Sequence, residues 1–152
     1  MYTLSNQQFK GKVPQIDPNA FVAPGVFLSG DVRIGKYSSI WPGVVARGDV
    51  NYISVGECSN VQDLCCLHVA DNNPCIIGDY VTIGHSACIH GCEIEDHVLI
   101  GMHSTILTGA KIGRGSIWFC RIRSFLRTRS LSVSRQRLSR PLTRWTTSMH
   151  RH

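Results

Sequence analysis

Between residues 22 and 112 an aliphatic side chain returns at nearly every sixth position, a period that few backbone conformations can turn into a buried face. Val22, Leu28, Ile34 and Ile40 begin the series, and Val55, Val61 and Leu67 resume it. Ile77, Ile83 and Ile89 precede a last run of Ile94, Ile100, Ile106 and Ile112. An amphipathic helix needs apolar residues three and four apart, so a step of six excludes it. Glycine often follows the aliphatic residue, as in "IGKYSS", "VGECSN", "IGDYVT" and "IGMHST". One inward aliphatic and a glycine-tolerant corner suit a short strand and a turn. Three such units close a triangular coil, and coils stacked about 4.8 Å apart by parallel pairing bury a continuous aliphatic column.

The expected class is therefore all-β, and the hexapeptide pattern resembles the left-handed parallel β-helix. The hand is what that resemblance implies, since a six-residue period does not fix it. The solenoid is expected over residues 1–117, and beyond it the composition changes abruptly. All fourteen Gly lie in residues 1–117, which carry seven Lys or Arg against ten Asp or Glu. Residues 118–152 carry nine Arg, no Lys and no acid, so the overall charge of +6 belongs to them. A basic, serine-rich segment can neutralise phosphates. Arginine-only basicity without periodicity fits an aberrant or disordered terminus better, and nucleic acid is not expected as a partner.

No apolar run approaches the roughly 20 residues of a membrane span. The start "MYTLSNQQFKGK" lacks the charged start and apolar stretch of an export signal, so a cytoplasmic protein without a membrane partner is expected. Seven cysteines, an odd number, then read as reduced thiols, several of them serving as small core residues. No pair of C-x-x-C knuckles is present to hold zinc through thiolates.

Two interruptions break the period. Between Ala46 and Val55 the step is nine, through "ARGDVNYIS"; between Leu67 and Ile77 it is ten, an insertion of four around "VADNNP". Insertions in a solenoid protrude from one side, where ligands collect. From Leu67 to Ile89 is 22 residues, and removing the four inserted ones leaves 18, one coil of three hexads. Leu67 and Ile89 should stack. His68 and His90, each one residue later, should then point outward from one face about 5 Å apart. Imidazoles so placed can share a zinc ion at about 2.0–2.1 Å. His85 lies across a corner from His90, where outward side chains splay apart, so it would reach such an ion only from a neighbouring copy. A threefold oligomer would supply three equal sites. The competing reading of each histidine is a solvated corner residue, and it covers His97 and His103 as well.

"RGD" at Arg47 to Asp49, "NVQD" at Asn60 to Asp63 with His68 five residues on, "IGH" ending at His85 and "HGC" starting at His90 complete the pattern. Together they resemble the γ-class carbonic anhydrase family, over about residues 10–117. The resemblance implies a homotrimer with zinc, replaceable by iron or cobalt, held between subunits by His68 and His90 of one chain and His85 of the next. It implies that Arg47 and Asp49 brace the subunit interface and that Asp63 is a structural partner of that arginine. Gln62 and Asn60 become the polar catalytic groups near the metal, Gln62 orienting the hydroxide or the developing bicarbonate. The reaction implied is reversible hydration of carbon dioxide, that of a carbonate dehydratase lyase. Active members place acids beside the site, whereas here Val50 follows Asp49 and Asp71 is the one acid in the loop after His68. A metal-containing scaffold or binding protein without strong catalysis is therefore one alternative, and a hexapeptide acyltransferase with a histidine base is another.

Overall fold

The computed structural model describes residues 5–119; residues 120–152, with Cys120, His150, His152 and the arginine-rich segment, lie outside them. Sixteen strands, most of two or three residues, make up the regular structure of the described part, with no helix among them. Every pairing between named strands is parallel. The chain therefore rises as a β-solenoid of about six turns, as the six-residue period predicts.

Register alignment resolves three faces, each with its own inward column. Ile16, Ile34, Val55, Ile77, Ile94 and Ile112 stack along the first. Val22, Ile40, Val61, Ile83, Ile100 and Trp118 stack along the second. Leu28, Ala46, Leu67, Ile89 and Ile106 stack along the third, so the expected pairing of Leu67 with Ile89 is present. Pairing continues to the strand Ile117–Trp118, which lies on Leu99–Ile100. Most of these side chains are less than a tenth exposed and form one continuous core. Burying each Ile or Leu contributes roughly 1.5–3 kcal/mol, which is how strands too short to pair stably alone persist as a stack.

Glycine acts differently from the corner role its position suggests. Gly35 and Gly56 follow inward aliphatics but do not carry a positive φ; a Cβ on Gly35 would stand 2.7 Å from the Gly56 carbonyl carbon. Successive coils approach too closely there for any side chain. The left-handed corner positions fall two residues later and are filled by Tyr37 (φ 59°), Cys58 (φ 52°), Tyr80 (φ 56°) and His97 (φ 57°). Tyr80 and His97 stack face to face, ring centroids 5.0 Å apart.

Among the described residues the irregularity is confined to one of the three corners, the one joining the third face to the first. Between inward positions the chain takes six residues from Leu28 to Ile34, nine from Ala46 to Val55, ten from Leu67 to Ile77 and five from Ile89 to Ile94. The nine-residue step bulges inside the continuous strand Val45–Val55, where the pairing with Phe27–Ile34 shifts register. The ten-residue step folds into a tight turn closed by an Ala70–Asn73 bridge. Asn51 joins the two insertions, its Nδ2 donating to the carbonyls of Ala70 (3.3 Å) and Asp71 (3.0 Å). Gly91, at φ 49°, makes the five-residue step possible beneath that turn.

Candidate metal centre

The residues just before this irregular corner form one outward-facing column on the third face, covered at Ser29 and open at the histidines. Ser29, Arg47, His68 and His90 are register partners in successive coils. Because Leu67 and Ile89 point inward, strand alternation turns the two histidines outward, and the parallel ladder holds them one coil apart. His68 Nδ1 faces His90 Nε2 at 3.0 Å, with ring centroids 5.0 Å apart and planes at 63°.

The outer nitrogen of each ring is also engaged. His68 Nε2 lies 3.1 Å from Asp49 Oδ1, and His90 Nδ1 lies 2.8 Å from Thr108 Oγ1. Burial raises the Asp49 carboxyl, but the hydrogen bond from His68, a backbone N–H and the Arg47 charge outweigh it and hold the group below its ordinary value of 3.8. Asp49 is thus ionised at neutral pH and can only accept, so in the neutral ring the network puts the His68 proton on Nε2 and leaves Nδ1 bare. The Thr108 hydroxyl can either donate to His90 Nδ1 or accept from it. When it donates, His90 carries its proton on Nε2 and donates it in a hydrogen bond to His68 Nδ1. When it accepts, two lone pairs face each other, an arrangement that a cation between them relieves. Two donors on a tetrahedral zinc at about 2.0–2.1 Å stand about 3.3 Å apart, so a few tenths of an ångström of widening fits the pair to that ion. Hydrogen-bonded outer nitrogens are also what metal-ligating histidines carry.

His85 does not join this pair. It is exposed at the corner preceding the strand Cys88–His90, and its Nδ1 lies 3.0 Å from Asp63 Oδ2. Within one chain no three His, Cys, Asp or Glu side chains converge on a metal position among the described residues. Arg47 meets Asp49 in the protomer, and Asp63 meets His85 rather than Arg47. Asn60 donates from Nδ2 to Ser39 Oγ at 3.1 Å, while its buried Oδ1 has no partner among the described residues. Gln62, two residues on, is half-buried with its backbone N–H bonded to Ile83 O. Val50 and Asp71 are both exposed. Sequence reasoning did not find Thr108 or the contact of Asp49 with His68. Both were within reach of the coil count, since Thr108 is 18 residues beyond His90 and Asp49 is two beyond Arg47, the register partner of His68.

A hexapeptide-repeat β-solenoid with an outward, hydrogen-bonded imidazole pair defines the class. No family model matches the chain. It is 53% identical over 107 residues to "Gamma carbonic anhydrase 1, mitochondrial" of Arabidopsis thaliana, covering 66% of this chain and 39% of that protein. It is 48% identical over 107 residues to the "Carbonic anhydrase" of Geobacillus kaustophilus, covering 70% of this chain and 59% of that protein. Among solved structures, a hexapeptide transferase family protein from Anaplasma phagocytophilum aligns with a TM-score of 0.59 at 34% identity, covering 82% of this chain and 84% of that one. The chain belongs to the γ-class carbonic anhydrase family of hexapeptide-repeat proteins. It spans from about two fifths to three fifths of the length of these curated relatives. No helix among the described residues is long and apolar enough to cross a membrane.

Proposed function

We propose that this chain is a zinc-binding γ-class carbonic anhydrase protomer that hydrates carbon dioxide to bicarbonate, with iron or cobalt able to replace zinc. The observation that carries the reading is the His68–His90 pair, two ring nitrogens facing each other at 3.0 Å with their outer nitrogens tied to Asp49 and Thr108. The names of the curated relatives support it. His68 and His90 would hold the ion, and His85 of a neighbouring copy in a homotrimer would be the third donor. A zinc ion held by neutral imidazoles supplies a Lewis acid that brings the pKa of its water to about 7.

The chain's own residues do the rest. Asp49 accepts a hydrogen bond from His68 Nε2–H and so keeps Nδ1 free to ligate. Thr108 does the same for His90 by accepting from Nδ1. Asn60, with a buried oxygen that lacks a partner, and Gln62 beside it orient the reacting oxygen and the developing bicarbonate by hydrogen bonding. Arg47, Asp49 and Asp63 brace the contact between copies. Proton release to solvent is left to Asp71, exposed at the turn after His68, because Val50 occupies the position beside Asp49.

Two other readings have an observation behind them. Val50 favours a metal-containing scaffold or binding protein without strong turnover, and the Anaplasma relative favours a hexapeptide acyltransferase. Metal content and stopped-flow hydration of carbon dioxide on the purified chain separate the three. The expected result is bound zinc, a hydration rate that a chelator removes and zinc restores, and loss of both in His90→Ala. Bound metal without any rate would leave the scaffold. Acetyl transfer from coenzyme A without metal would leave the acyltransferase.

A further inference from the structure

Cys66 and Cys88 are register partners on adjacent parallel strands, Cys66–His68 and Cys88–His90. Their neighbours Leu67 and Ile89 are the buried ones, so both thiols stand on the outer surface of the third face. Cys66 is exposed and Cys88 half-buried, and the two side chains are next to each other on the same face. The residues flanking them in the same register, Val45 and Thr105, carry no charge that would hold the sulfurs apart.

No other described cysteine is placed in this way. Cys75 and Cys92 lie inside the core at 0% and 3% exposure. Cys65 is buried with its thiol on the Gly84 carbonyl, and burial pushes that thiol up to about 11. Cys58 stands at a left-handed corner beside Tyr80.

We infer that Cys66 and Cys88 are a modification site, a surface dithiol that low-molecular-weight disulfides close to an intramolecular disulfide and low-molecular-weight thiols reopen. Parallel neighbours hold their Cα atoms about 4.8 Å apart, inside the roughly 4.4–6.8 Å that a disulfide spans, so closure needs side-chain rotation and a few tenths of an ångström of approach to bring the Cβ atoms within roughly 4.5 Å. In the first step the exposed Cys66 sulfur attacks one sulfur of the small disulfide, forming a mixed disulfide and releasing one thiol. In the second the Cys88 sulfur attacks Cys66 in that mixed disulfide and releases the other thiol. Two electrons pass to the small disulfide, and the two protons leave on the released thiols. The ladder fixes the spacing below the roughly 5.5–6 Å that disulfides prefer, which makes the bond easy to reduce and the modification reversible. The inference is independent of the metal reading.

Oxidised glutathione added to the purified native protein tests it. Cleavage before aspartates separates residues 63–70, with Cys65 and Cys66, from residues 79–95, with Cys88 and Cys92. The expected product has lost two hydrogens within residues 63–70 and 79–95 and carries no glutathione there. It yields these two peptides linked, with fragmentation placing the bond between Cys66 and Cys88, and dithiothreitol reverses it. Cys66→Ser and Cys88→Ser should each lose the link and retain one glutathione on the remaining thiol. No reaction, stable glutathione on wild-type Cys66 without a link, a link that survives Cys66→Ser, or bonds between chains would each overturn the inference.

Discussion

At the scale of the residue, the candidate site turns on one hydroxyl that can work in either direction. Thr108 can donate to His90 Nδ1 or accept from it, and only the accepting state leaves Nε2 free beside the bare Nδ1 of His68. Thr108→Val should therefore weaken zinc binding by about 10- to 100-fold, the usual cost of losing such an outer partner. Thr108→Ser should restore it to within a few-fold. Competition with a metal chelator measures both, and equal affinity in all three proteins would remove Thr108 from the site. The histidine pair itself was legible in the sequence, because Leu67 and Ile89 fix it by counting. Its outer partners sit at countable places, 18 residues after His90 and two after Arg47, but a residue period does not say that the bulge turns Asp49 to His68 or which way a hydroxyl points.

At the scale of the element, two glycine-rich signals that look alike have separate causes. Gly35 is required by the coil stacked upon it, where an added Cβ would also meet the Gly56 carbonyl oxygen at 2.5 Å. Tyr37, two residues on, holds the left-handed corner at φ 59° without being glycine. Gly35→Ala should thus lower unfolding free energy by about 1–3 kcal/mol, as overpacking does. Tyr37→Gly should change it by less than about 1 kcal/mol, because relief of the left-handed backbone offsets the extra freedom of the unfolded chain. Denaturant titration of the two variants decides it, and the opposite ranking would refute the assignment. The period revealed which residues face inward, but not which backbone lies 18 to 22 residues away against a given glycine. Nor did it show that both insertions and the single shortening, from Ile89 to Ile94, meet at one corner beside the histidines.

At the scale of the molecule, a solenoid presents outward ligands along a face, and one copy of this chain offers two donors where zinc needs more. His68 and His90 converge, while His85 is turned to Asp63 at a different corner. A site shared across a cyclic contact would be complete only when one chain brings His68 and His90 and its neighbour brings His85. This arrangement predicts complementation between two defective chains. His68→Ala and His85→Ala should each fail to retain zinc when expressed alone. Co-expressed in equal amounts, they place an intact His68–His90 pair next to an intact His85 at about one quarter of random cyclic contacts. Zinc in the mixed protein should recover to about that fraction of wild type, and metal analysis after gel filtration reads it directly. A mixed protein as empty as its parents would refute the shared site. Full zinc in His85→Ala alone would place every ligand within one chain, and a threefold contact would not be needed to hold the ion.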